Sequence, residues 1–172
     1  MGKMPLTPSQ TIGPFFHEGL AWAFDGPLPR DFGVPVVRIT GVVRDGQGQV
    51  VPDALLEIWQ PTLAAQARPG GQLPGFQRAD TRRDGRFAFF MPRPGKEASC
   101  AHVTVLARGL LRELRTRVYA LPSDAEPGVW VAEAVPADRR HTLVATPVPN
   151  LADNYSWDVI LQGVGETVFL EF

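Results

Sequence analysis

The chain has 172 residues, 44% of them hydrophobic and 20% charged, with a formal net charge of −1 at pH 7. That length suits one domain with a real core, and the near-neutral balance supplies no field to draw the chain to nucleic acid or an acidic membrane. The single cysteine, Cys100, excludes an intrachain disulfide framework and is consistent with a reducing compartment.

No stretch approaches the ~20 apolar residues of a bilayer span. The opening MGKMPLTPSQ has one Lys and no apolar run of the kind a secretory signal needs. The expectation is a cytoplasmic protein with no membrane or nucleic-acid partner.

Residues 1–35 form an arm rich in Pro, Gly and Phe without a clear period. Within it TPSQTIGPFF, residues 7–16, carries no charge, two prolines and the adjacent pair Phe15 and Phe16. Glycine and proline number 17 each, which suits many short strands joined by tight turns rather than a helical protein. Strand signals begin at residues 36–43, β-branched and short, and the DGQG that follows is a turn. Residues 54–60 read as a second strand closing at Pro61. Residues 61–79 read as one long loop, of the kind that is functional or packed on a partner. Residues 81–90 have the pattern of a hairpin about the Asp84-Gly85 turn.

Residues 102–108 and 112–119 read as further strands. In the second, Leu114, Thr116 and Val118 alternate with Arg115, Arg117 and Tyr119. Residues 123–135 hold the one convincing helical turn, with Ser123 and Glu126 at capping-box spacing. Residues 155–162 and 166–172 close the chain as two strands around Gly163-Val164-Gly165. The fold class expected is all-β: an antiparallel β-sandwich core over residues 36–172, an N-terminal extended arm over residues 1–35, and one or two short helices.

Four segments, TPSQTIGPFF, LLEIWQ, LARGLLRELRTRVY and ILQGVGETVFLEF, together resemble the intradiol ring-cleavage dioxygenases, in order and from about residue 7 to residue 172. The resemblance implies a β-sandwich and a non-haem ferric iron held by two tyrosines and two histidines. Phenolate and imidazole suit Fe(III), and one ligand must be displaceable so that a catechol can chelate. The implied reaction inserts both atoms of O2 and opens the ring between the two hydroxyl-bearing carbons.

This chain does not carry that ligand set. Its tyrosines are Tyr119 and Tyr155 and its histidines His17, His102 and His141. The long loop after LLEIWQ, where the family has a ligand tyrosine, has none. The stretch PGKEASCAHVTV, where the family has a second tyrosine and a His-x-His pair, offers His102 with Thr104 two residues on. His102 is either a relic of that pair or a polar strand residue. Tyr119 and Tyr155 read as ordinary strand tyrosines, and His17 and His141 as solvated.

The resemblance therefore points to the iron-free chain of a two-chain enzyme. No catalytic residue and no metal ligand are expected here, and Fe(III) is expected in a homologous iron-binding beta chain within a hetero-oligomer acting on an aromatic acid with O2. Carried over from the family, Gly13 and Pro14 lie at the mouth of the partner's active site and Arg108 reaches it, while Phe15 and Phe16 anchor the arm on the partner. Glycine allows close backbone approach, proline stiffens the arm, and the arginine fork suits a carboxylate. An intersubunit ion pair is an equal reading for Arg108, and an ordinary docking turn for Gly13 and Pro14. Arg112, Arg115, Arg117, Arg139 and Arg140 read as interface or solvated arginines. The competing function is a non-catalytic β-sandwich binding or scaffold module derived from the same fold.

Overall fold

The computed structural model describes residues 12–20, 23, 34–61, 75–121 and 134–170. Among the described residues nine strands carry the fold: β1 Val36–Arg44, β2 Leu55–Trp59, β3 Phe76–Asp80, β4 Arg86–Pro92, β5 Ser99–Leu106, β6 Leu114–Ala120, β7 Val144–Pro147, β8 Asn154–Ser156 and β9 Val159–Ile160. They form one hydrogen-bonded path in the order β3-β2-β5-β6-β7-β8-β1-β4, with β9 added on β1. The pairing is mixed. The long ladders β1–β4, β2–β3, β2–β5 and β5–β6 are antiparallel, whereas β6–β7, β1–β8 and β1–β9 are parallel.

The path is folded into a sandwich by its own alternation. On one half Leu56 and Ile58 of β2, Val103 and Val105 of β5 and Val118 of β6 point inward. On the other, Val37 and Ile39 of β1 and Phe87, Phe89 and Met91 of β4 meet them in one cluster. Trp157 joins this core edge-on to Phe87, its ring centroid 6.2 Å away, and its indole N–H donates to the Thr142 carbonyl. Close packing there requires Gly41, where a Cβ would stand 1.8 Å from the Trp157 carbonyl oxygen. A second, smaller cluster joins Tyr119 of β6 to Leu121, Val135 and Leu143.

The all-β sandwich agrees with the sequence reading, and so do the positions of β1, β2, β5 and β6. The Asp84-Gly85 turn does not close a hairpin. It carries the chain from β3, paired with β2, to β4, paired with β1. Gly85 takes φ 76°, and Thr81 fixes the corner: its hydroxyl donates to the Val51 carbonyl and accepts from the Ala54 N–H. In place of a backbone ladder, the Gln77 side chain bridges the two strands. Its amide nitrogen donates to the Phe90 carbonyl at 2.8 Å and its oxygen accepts the Phe90 N–H at 3.0 Å.

Four other expectations change. The strand read over residues 155–162 is two short ones, β8 and β9, parted by Trp157 and Asp158. The loop read over residues 61–79 ends earlier, because Phe76–Asp80 is strand β3. Residues 166–170 form no ladder and are held by single bonds: Thr167 N–H to the Ile160 carbonyl, Leu170 N–H to the Arg115 carbonyl, and the Thr116 hydroxyl to the Val168 carbonyl. The helical turn read over residues 123–135 falls mostly outside the described residues; a 3-10 helix runs later, over Ala137–Leu143. Arg139 and Arg140 pin that helix by donating to the carbonyls of Glu166 and Val135.

Candidate functional site: an anchored arm and a neighbouring cleft

Alternation puts Phe76, Arg78 and Asp80 of β3 on the outer face, beside Leu55, Glu57 and Trp59 of β2. Arg78 and Glu57 are cross-strand partners, and the Arg78 guanidinium bonds the Glu57 carboxylate through both Nε and Nη2. The remaining arm of the fork reaches the N-terminal segment. Its Nη1 donates to the Phe16 carbonyl at 3.0 Å and to the Gly19 carbonyl at 2.6 Å. The same guanidinium lies 5.2 Å from the centre of the Phe16 ring. Only 8% of Arg78 is exposed. A buried arginine of this kind is stable only when its donors are met, and here strand and arm meet them together.

The segment so held is a 3-10 turn over Pro14–Phe16. His17 follows it and is buried, its Nδ1 3.7 Å from Asp80 Oδ2. That corrects the expectation of a solvated His17; the hidden signal was Asp80, two residues after Arg78 and on the same face. Glu18 adds a bond from Arg82, which also binds Asp80. The turn's far side is open. Phe15 is 83% exposed. Gly13 has extended backbone at φ −97°, and a Cβ there would meet nothing within 4 Å. Nothing among the described residues requires glycine at that position.

Arg108 lies just past β5 in an exposed turn, two strands from the arm in the sheet order. Its guanidinium pairs with Asp53 of the same chain, and its side chain stays 76% exposed. Arg115 likewise pairs within the chain, with Glu113. The arm and Arg108 are thus separate features of the described surface.

A cleft of about 490 Å³ is lined by Gln60, Pro92 and residues 95–100, part of the stretch where the resemblance expects the family's second tyrosine and His-x-His pair. The residues present do not fit a ferric ion. The cleft's lining offers Lys96, Glu97, Ser99 and Cys100, with no phenol and no imidazole. Burial raises the Cys100 thiol above its ordinary value, so it stays protonated near neutrality. His102 is opposite Trp59 on one side and Arg117 on the other, and burial followed by the Arg117 charge pushes its pKa down. A guanidinium beside His102 opposes a trivalent cation there. Tyr119 lies in β6 and Tyr155 in β8, and burial raises both phenols rather than preparing phenolates. His141 is exposed on the 3-10 helix. Among the described residues no three His, Cys, Asp or Glu side chains come together as a metal site.

No family model matches the chain. Among solved structures it is similar to the dioxygenase domain of a carbohydrate-binding fusion protein from Streptomyces sp. SirexAA-E, with TM-score 0.57 and 19% identity over 92% of this chain and 99% of that one. It is also similar to a point mutant of catechol 1,2-dioxygenase from Acinetobacter radioresistens, with TM-score 0.52 and 17% identity over 87% of this chain and 60% of that one. The fold is therefore the β-sandwich of the intradiol dioxygenases. Two curated relatives are narrower matches. A protocatechuate 3,4-dioxygenase alpha chain of Burkholderia cepacia is 35% identical over an aligned length of 201 residues, covering 99% of this chain and all of the relative. One from Pseudomonas putida is 30% identical, covering 98% of each. The chain belongs to the family of protocatechuate 3,4-dioxygenase alpha chains.

Proposed function

We propose that this chain is the iron-free alpha subunit of a protocatechuate 3,4-dioxygenase. It pairs with a homologous beta chain that holds Fe(III) through two tyrosines and two histidines. The assembled pair takes protocatechuate and O2 to 3-carboxy-cis,cis-muconate, in the cytoplasm, as a step of aromatic catabolism. Residues 1–35 act as an arm and residues 36–172 as the sandwich that carries it. Gly13 and Pro14 stand at the mouth of the partner's active site, Phe15 seats the arm there while Phe16 holds it to its own sheet, and Arg108 faces the substrate carboxylate.

The observation that carries this reading is the contrast across one turn. Its backbone is fastened to β3 by a buried arginine, while Phe15 beside it is 83% exposed. A large apolar side chain held rigidly in water is what an interface anchor looks like before its partner arrives. Among the described residues nothing gives a packing reason for glycine at position 13, which suits a role for it at an interface.

The test is co-expression with an iron-binding beta chain. A stable hetero-oligomer with protocatechuate-cleaving activity is the expected result. A chain that stays monomeric beside a fully active beta chain refutes the subunit role and favours the scaffold alternative.

A further inference from the structure

We propose that Arg78 is a positioning residue for the partner's reaction: it fixes the arm so that Gly13 is presented at a set distance and angle to the second chain's active site. The proposal rests on the subunit reading above and adds to it a residue from outside the arm.

The geometry that points to Arg78 is its division of labour. Nε and Nη2 are committed to Glu57, one strand inward, which ties the guanidinium plane to the sheet. Nη1 then projects outward and bonds two carbonyls three residues apart, Phe16 and Gly19, that bracket the end of the 3-10 turn. Two carbonyls held from one nitrogen fix the orientation of that turn as well as its location. The ring of Phe16 stacks on the same guanidinium, which removes the remaining rotation. Arg82 holds Glu18 just beyond, and His17 is buried next to Asp80. Gly13 is one residue from the clamped turn, and its carbonyl accepts the Phe16 N–H at 3.1 Å. Displacement at Arg78 therefore passes to Gly13 through a single short turn.

Lysine cannot reproduce this arrangement. It keeps the charge for Glu57, but its one ammonium cannot bond the carboxylate in a planar fork and also hold two carbonyls and a ring face. Arg78→Lys is thus a variant that spares the fold and removes the alignment.

The experiment uses the co-expressed complex and two readouts. The first is hydrogen exchange at the amides of Phe16, Glu18 and Gly19; the second is steady-state kinetics with protocatechuate. In Arg78→Lys the arm amides exchange about tenfold faster or more, as expected for lost charge-assisted bonds. Iron content and the visible ferric band remain those of the wild type, while kcat/KM falls about 10- to 100-fold, the scale at which small misplacements act. Phe16→Leu, which loses the stacking but keeps apolar bulk, shifts both readouts in the same direction by less, and it decides the matter should Arg78→Lys not fold. Wild-type exchange or wild-type kcat/KM in both variants overturns the proposal. Failure of the subunit reading looks different: the wild-type chain then neither joins the beta chain nor alters its kinetics.

Discussion

The Arg78 guanidinium lies over the Phe16 ring, 5.2 Å from its centroid, and bonds the carbonyl of the same residue. The two adjacent phenylalanines of the arm therefore do different work. Phe16 is turned back onto β3, and Phe15 is left facing water. Phe16→Ala should destabilise the chain by about 1–2 kcal/mol through lost burial and cation–π contact. Phe15→Ala should change stability by less than about 0.5 kcal/mol and instead weaken assembly. Chemical denaturation of each variant, beside sedimentation of the co-expressed complex, separates them. Equal losses of chain stability would contradict the division.

Gln77 stands in for the backbone ladder that β3 and β4 lack. Gln77→Leu leaves the Phe90 N–H without its acceptor and the Phe90 carbonyl with only the bond from Gln60. The expected cost is about 1–3 kcal/mol, read as a lower denaturant midpoint with little change in slope. A neutral result would mean that apolar packing and the Gln60–Phe90 bond suffice to hold the two halves of the sandwich at this edge.

This edge also shows what the sequence could and could not yield. Alternation placed β6 because it keeps one face apolar against the core, and short apolar runs placed β2 and β5. The Asp84-Gly85 dipeptide reports only that the chain turns. Whether the strands on either side pair with each other depends on Thr81 and Gln77 and their distant partners Val51, Ala54 and Phe90. The same limit applies to β7 and β8, whose few residues carry no period and whose parallel neighbours come from other parts of the chain. At the arm, the sequence singled out Phe15 and Phe16 as a pair with one role. Their opposite orientations were not legible, because Arg78 lay inside a stretch read as loop.

His102 sets a pH dependence. Its folded pKa is pushed below the ordinary value by burial and by Arg117. The unfolded chain therefore takes up this proton first as pH falls, so stability is lost below about pH 6.5 and the slope continues to the depressed folded pKa. His102→Asn should flatten that part of the stability profile, measured by denaturation between about pH 8 and pH 5. An unchanged slope would locate the acid sensitivity elsewhere.

Arg108 pairs with Asp53 while remaining largely in water. Such a pair contributes about 1 kcal/mol or less, so Arg108→Ala should leave the chain's stability nearly unchanged. If the guanidinium also meets the substrate carboxylate, KM for protocatechuate in the complex should rise about tenfold or more. Unchanged kinetics together with a weaker oligomer would assign Arg108 to the interface instead.

The central claim is that this chain shapes a site whose iron belongs to another chain. Its most direct test is the iron content and visible spectrum of the co-expressed complex carrying His102→Ala, Tyr119→Phe and Tyr155→Phe together in this chain. The account predicts the wild-type iron-to-beta-chain ratio and an unaltered ferric–tyrosinate band. Loss of iron or of that band in the triple variant, or stoichiometric iron in the wild-type chain purified alone, would contradict it.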